Sequence, residues 1–221
     1  MDLPFTTEQF LDVFRDYNTV IWPAQVVAYL LGLGAVVLTF RPTSRADRGI
    51  SAVLAVFWLW MGSVYHLVFF REINAAATLF GGFFLVQGLL FVYVGIVRRG
   101  LTFRARSDLY GWVGGLFMAY ALAIYPVIGA LLGHGYPQAP MFGVAPCPAT
   151  IFTFGLLLWT AGRVSGWLLV IPTLWALIGF TAALNLGILE DTGLLVAGLL
   201  GPGLLRYRNT RDWRYDRQRL E

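Results

Sequence analysis

The sequence predicts an all-α, polytopic membrane protein of seven transmembrane helices, N-terminus outside and C-terminus inside, with an interfacial helix ahead of the first span. Three observations carry that expectation. Hydrophobic residues make up 58% of the chain and charged residues only 13%. Soluble domains carry about a quarter charged residues, so this chain lacks the polar surface that a water-soluble fold needs. Apolar runs of bilayer-crossing length recur along it. The arginines fall between those runs in alternation. Spans and short turns use up nearly all 221 residues, so a single transmembrane domain is expected.

Taken in order, residues 1–19 form the interfacial helix. Phe10, Val13, Phe14 and Tyr17 fall on one helical face, and Thr6 with Gln9 has capping-box spacing. The bundle occupies 20–205. Its expected spans are 20–40, opened by Trp22 as an interface anchor, then 50–70, 74–97, 110–132, 148–162, 167–186 and 192–205. A basic cytoplasmic tail, 206–221, follows. The fifth and seventh spans are short: fifteen residues rise about 22 Å against roughly 30 Å of hydrocarbon. Flanking loop, protein-covered backbone or local thinning must complete them. Gly111 and Gly115 are spaced for close helix packing, and Gly201-Pro202-Gly203 is expected to kink the seventh span.

Orientation follows from arginine placement. Segments 41–49, 98–109, residue 163 and the tail hold three, four, one and six arginines, fourteen of the sixteen. With the N-terminus outside, all fourteen lie inside, and only Arg15 and Arg71 remain outside. A six-span arrangement would put one basic end on the wrong side. The net charge of +4 thereby finds a membrane explanation, and no nucleic-acid partner is expected.

Residues 134–153, HGYPQAPMFGVAPCPATIFT, stand apart. They hold four of the ten prolines, the only cysteine, one of two histidines and no charge. Such a run cannot continue a helix, yet it is too apolar for a solvated loop. It is expected to fold back on the outer side as a cap or re-entrant wall. Depth assignment then gathers most buried polar residues beside it: Tyr65, His66, Tyr125, His134, Cys147, Thr150 and Glu190, with Glu72 and Asp191 close by. Polar groups at membrane depth are costly and face cavities or the bundle interior. An outward-facing pocket is therefore expected. Each residue also has a plain structural use. His66 could bond a neighbouring helix, His134 could cap one, Asn74 could cap the third span, and Glu190 with Asp191 would complement a helix N-terminus. Cys147, between two prolines at the first turn of the fifth span, suits a thiolate ligand or nucleophile, or a small residue in a tight turn.

Several chemistries are excluded. All sixteen basic residues are arginine, so no lysine Schiff base forms, and one cysteine allows neither an intrachain disulfide nor a CxxC motif. There is no HExxH and no GxSxG. No basic n-region opens the chain, so a cleavable signal peptide is not expected. A mixed set of His66, His134 and Cys147 with a carboxylate has ligand chemistry acceptable to zinc or copper, although no spacing specifies it.

The runs YHLVFFREINAAATLFG (65–81), YPVIGALLGHGYPQAPMFGVAPCPATIFTFGLLL (125–158) and LNLGILEDTGLLVAGLL (184–200) resemble an uncharacterised family of bacterial integral membrane proteins, catalogued as a domain of unknown function. The resemblance implies a multi-span protein of the bacterial inner (plasma) membrane, and brings no activity or ligand with it. Three functions stay open: binding or transport of a small solute or ion through an outward polar vestibule, a membrane-embedded enzyme or metal/redox protein at the outer leaflet, and a structural or accessory subunit.

Overall fold

The computed structural model describes residues 3–218, and the side chains of residues 3–211. The described chain is all-helical: α1 Thr7–Val20, α2 Ala24–Leu38, α3 Ser44–Glu72, α4 Ala77–Val97, α5 Leu109–Leu131, α6 Pro146–Leu158, α7 Trp167–Leu186 and α8 Thr192–Gln218. An isolated bridge between Phe103 and Thr160 is the sole β-type pairing among the described residues. Local chemistry sets the helix starts. Thr6 and Gln9 close the capping box on α1 at 3.2 and 2.9 Å. Thr43 accepts from the Ala46 amide to start α3, and Asp108 from the Gly111 amide to start α5. Gly187, in the left-handed region at φ 72°, ends α7.

Connecting segments gather at two opposite ends. At one end Asp47 binds Arg104, Ala105 bonds the Thr39 carbonyl, and Arg106 and Arg208 bond carbonyls beyond α6. At the other, Thr7 meets the Leu186 carbonyl, Tyr17 the Val144 carbonyl and Tyr125 Asp191. Helices α2 to α8 lie between these two ends.

Length tells a smaller number. Four of these helices, α3, α4, α5 and α7, are long and apolar enough to cross a membrane. A fifth candidate exists if α1 and α2, bent by 87° at residues 21–23, count as one broken unit. Seven crossings, expected from the sequence, are not established by these lengths. The expected first span, 20–40, loses its first turn to the break before Ala24, leaving fifteen helical residues. The expected fifth, 148–162, starts earlier and ends sooner, as the thirteen residues of α6. The expected tail, 206–221, begins within α8, which runs through Pro202 to Gln218.

The helix α6 explains how a segment too short for a bilayer survives. Every one of its residues is buried, enclosed by α3, α5, α7 and α8. Gly114 of α5 and Gly155 of α6 allow the closest approach. A Cβ on Gly114 would lie 2.8 Å from the Gly155 carbonyl and 2.6 Å from Trp159. The expected pairing of Gly111 and Gly115 is replaced by this contact. Past the helix end, the Arg208 guanidinium, 2% exposed, donates to the carbonyls of Leu158, Thr160 and Gly162 at 3.0–3.1 Å and to the Thr160 hydroxyl at 2.7 Å. A cation binding the terminal carbonyls both satisfies and charge-compensates that end.

The outward faces are apolar. Leu30 and Leu33 of α2, Leu79 and Leu89 of α4, Leu116 and Val127 of α5, Leu174 of α7 and Leu199 of α8 are all exposed. An apolar surface on successive helices is that of a protein covered by hydrocarbon.

Candidate functional site

The site lies at the end away from the arginine cluster, where three breaks in regular helix meet. The first is a π-helical stretch in α3, Met61–Phe69, which carries Tyr65 and His66. The second is a π-helical turn in α5, Tyr120–Ile124, directly before Tyr125. The third is the 3-10 turn Leu189–Asp191 between α7 and α8. Widened turns re-aim side chains and recur at functional sites.

The 3-10 turn buries two carboxyls, Glu190 at 0% and Asp191 at 3% exposure. They face different partners. The Tyr125 hydroxyl donates to Asp191 Oδ1 at 2.7 Å, and Cys147 lines the same space as this carboxyl and Trp175. Glu190 Oε1 is 3.3 Å from His134 Nδ1, whereas Glu190 Oε2 has no protein partner. Its backbone carbonyl accepts from the Tyr120 hydroxyl at 2.6 Å. Asp191 sits in the connecting turn, outside the helical spans. Burial pushes its carboxyl up to about 7, against the pull of the Tyr125 hydroxyl and the Cys147 thiol and with a further push from Glu190. Asp191 therefore exchanges its proton close to neutral pH.

A cavity of about 40 Å³ adjoins this carboxyl, room enough for water or a solute of a few heavy atoms. Phe5, Phe14, Tyr65, Cys147, Trp175 and Asp191 are among its walls. Trp175 Nε1 is buried there without a hydrogen-bond partner. Beyond Phe5 and Phe70, whose rings meet edge-on at 5.5 Å, opens a groove of about 620 Å³ between Asn74, Phe80, Ile178 and Asn185. Phe5 and Phe70 line both spaces and separate them.

The wall opposite is the proline-rich stretch, and α1 clamps it. Asn18 donates to the Pro137 and Ala139 carbonyls at 2.7 and 2.8 Å, and Tyr17 to the Val144 carbonyl at 2.9 Å. Trp60 donates to the Tyr17 oxygen at 2.8 Å, and Gln25 to the Asn18 carbonyl at 2.7 Å. Pro140 and Pro146 thereby reach the cavity. The apolar face of α1, expected on lipid, packs instead on protein: Phe14 stacks on Tyr65 at 5.1 Å.

Among the residues expected at the pocket, the structure brings Tyr65, Tyr125 and Cys147 together, with His134 and Glu190 paired just behind. His66 lies outside the cavity lining. Its ring, 0% exposed, packs on Phe84 at 4.6 Å and Trp175 at 5.1 Å, and neither nitrogen has a partner. Thr150, buried one turn beyond Cys147, also leaves its hydroxyl unpartnered. The expected helix–helix bond of His66 is not found, whereas His134 does cap the end of α5, its backbone amide donating to the Gly129 carbonyl at 2.7 Å. Asn74 does accept from the Ala76 amide ahead of α4.

The zinc or copper set of His66, His134 and Cys147 does not assemble. No three His, Cys, Asp or Glu side chains converge as ligands among the described residues. His134 is taken by Glu190, and a shell of rings seals off His66. Nor does a cation stand beside Cys147 to favour a thiolate; the thiol faces a carboxyl. Sequence reasoning missed Asp191 as the centre, and Trp175, Phe5 and Phe70 as walls. One signal was present: Glu190 and Asp191 are the only charged residues between Arg163 and Arg206, and carboxyls in so apolar a setting are held for a reason.

The chain belongs to DUF6064, a family of unknown function, which matches residues 7–216. No curated protein and no solved structure matches it.

Proposed function

We propose that this member of a family of unknown function is a seven-span protein of the bacterial inner (plasma) membrane, N-terminus outside, that binds a small cationic solute at Asp191 and passes it toward the outer side. The observation that carries this reading is one buried carboxyl opening on an aromatic cavity. An anionic oxygen with π faces around it is complementary to a cation, which both attract. The proton that Asp191 exchanges near neutral pH and the solute compete for the same oxygen, so binding strengthens as pH rises through about 7. Phe5 and Phe70 gate the cavity from the larger groove, and the Tyr125 hydrogen bond holds the carboxyl in place. The arginine-rich end inside, opposite this site, satisfies the positive-inside rule. The alternative of a structural subunit rests on the closed state of the cavity, and the same experiment separates the two.

Purified full-length protein in detergent is titrated with sodium, ammonium, methylammonium, guanidinium and, as a neutral control, glycerol, with thermal unfolding as the readout. At least one cation is expected to raise Tm more at about pH 8 than at about pH 6, and to lose the effect in Asp191→Asn. Cations that act equally on both proteins, or none that acts beyond glycerol, would defeat the reading in favour of a structural role.

A further inference from the structure

A second site lies at the opposite end, and it does not depend on the proposed solute. Between α7 and α8 runs an open groove of about 780 Å³. Its chemistry changes along its length. Arg163 and Arg206 flank one end, together with Asn209 and Thr210, while Leu169, Val170, Leu174 and Pro202 form the rest. The two helices run antiparallel, so Gly166 to Leu174 on α7 and Thr210 back to Pro202 on α8 cover the same stretch. Eight residues at 1.5 Å each make this floor about 12 Å long. Among the described residues, no acidic side chain lines it. The groove is open at Gly166, where an added Cβ would meet no atom within 4 Å.

The arginines of α8 divide by face. Arg208 turns inward onto the carbonyls beyond α6, whereas Arg206 stays exposed on the groove side. The capping task is thus met without Arg206, whose charge serves the groove. A cationic rim joined to an apolar trough, on a helix pair whose outer surfaces are apolar, is complementary to a molecule anionic at one end and hydrocarbon at the other.

We infer that this groove binds one anionic phospholipid, its phosphate between Arg163 and Arg206 and an acyl chain along Leu169, Val170 and Leu174. A free phosphate would use the rim alone, and a zwitterionic lipid would bring its own cation to an already basic rim. Basic pockets between membrane helices hold acidic headgroups through the same pairing.

The test is native mass spectrometry of the full-length protein, delipidated in detergent and then offered phosphatidylglycerol, phosphatidylcholine or inorganic phosphate. Retention of one phosphatidylglycerol at about tenfold or greater preference over phosphatidylcholine is expected. Arg163→Gln with Arg206→Gln should lower that preference about tenfold or more, to near parity. Thr173→Trp, which fills the trough and leaves the charges, should lower retention of both lipids. Equal retention of the two lipids by the native protein would overturn the inference. So would phosphatidylglycerol preference unchanged in the double variant, or bound inorganic phosphate that blocks no lipid. Since none of these residues touches the Asp191 cavity, cation stabilisation should persist in both variants.

Discussion

Replacing Asp191 with asparagine should remove one pH-dependent contribution to stability, and its sign is fixed by burial. The folded protein holds a proton on Asp191 up to about pH 7, whereas the unfolded chain releases it near 3.8. Between those values the folded state binds more protons, so stability falls as pH rises. The contribution is full below about pH 4 and gone above about 7. At 1.36 kcal/mol per pH unit, the interval corresponds to roughly 4 kcal/mol. Unfolding of wild type and Asp191→Asn is followed in detergent from about pH 4 to about pH 8. Both proteins share the His134–Glu190 pair and all other titrating groups, so the difference between them isolates Asp191. Wild type is expected to lose about 4 kcal/mol relative to the variant across that window. Tyr125→Phe, which removes a hydrogen bond that stabilises the charged form, should move the midpoint above 7. Parallel wild-type and variant curves, or a wild type that gains on the variant as pH rises, would refute the buried-carboxyl argument.

Other consequences follow from the packing. Arg208→Met leaves the Leu158 and Gly162 carbonyls without their donor, while Thr160 keeps Arg106, and is expected to cost about 1–3 kcal/mol per orphaned carbonyl in the same unfolding assay, whereas Arg206→Met on the groove side should cost less than about 1 kcal/mol. Gly114→Val forces a side chain into the Gly155 carbonyl and Trp159 and should lower stability by about 1–3 kcal/mol or more, with Gly203→Ala, where space is open, near neutral. Asn18→Ala frees the Pro137 and Ala139 carbonyls; hydrogen exchange should speed up in residues 134–145 while the amides of α6 stay protected. In a Cys147→Ala background, an impermeant maleimide added to intact cells should label Tyr136→Cys and spare Arg45→Cys. The opposite pattern would invert the proposed orientation.

The fold was legible in sequence to the extent that lipid and water impose it. Apolar run length and arginine alternation located α3, α4, α5 and α7 to within a few residues, because those helices face hydrocarbon along their length. They were less informative where protein replaces lipid. The helix α6 is enclosed on every side, so bilayer thickness does not set its length. Instead, the prolines fix its start and Arg208 its end. That arginine read as one more positive charge in a tail, since nothing in sequence distinguishes a buried guanidinium from a solvated one two residues away. The capping box on α1 was readable because it is local.

The site was legible by depth and not by partner. Tyr65, Tyr125, Cys147 and Glu190 share one end of the helices, because each lies at a known distance along its segment. Which of them touch depends on helix rotation, and the π-helical turns in α3 and α5 shift that rotation. His66 consequently faces a cage of rings, and Asp191, beside the more prominent Glu190, takes the central place. Phe5 and Phe70 could not be foreseen as a gate, since their contact joins residues far apart in sequence across a bent N-terminal segment.

The central claim is that Asp191 is a carboxyl which a proton and a cationic solute share. Infrared difference spectroscopy of the purified protein observes that carboxyl directly, through the carbonyl stretch of its protonated form. The account predicts a protonated-acid band that titrates near pH 7, is absent in Asp191→Asn, and disappears at about pH 6 on adding the cation that stabilises the protein. A wild-type spectrum without that band, or with one that the cation leaves unchanged, would contradict it.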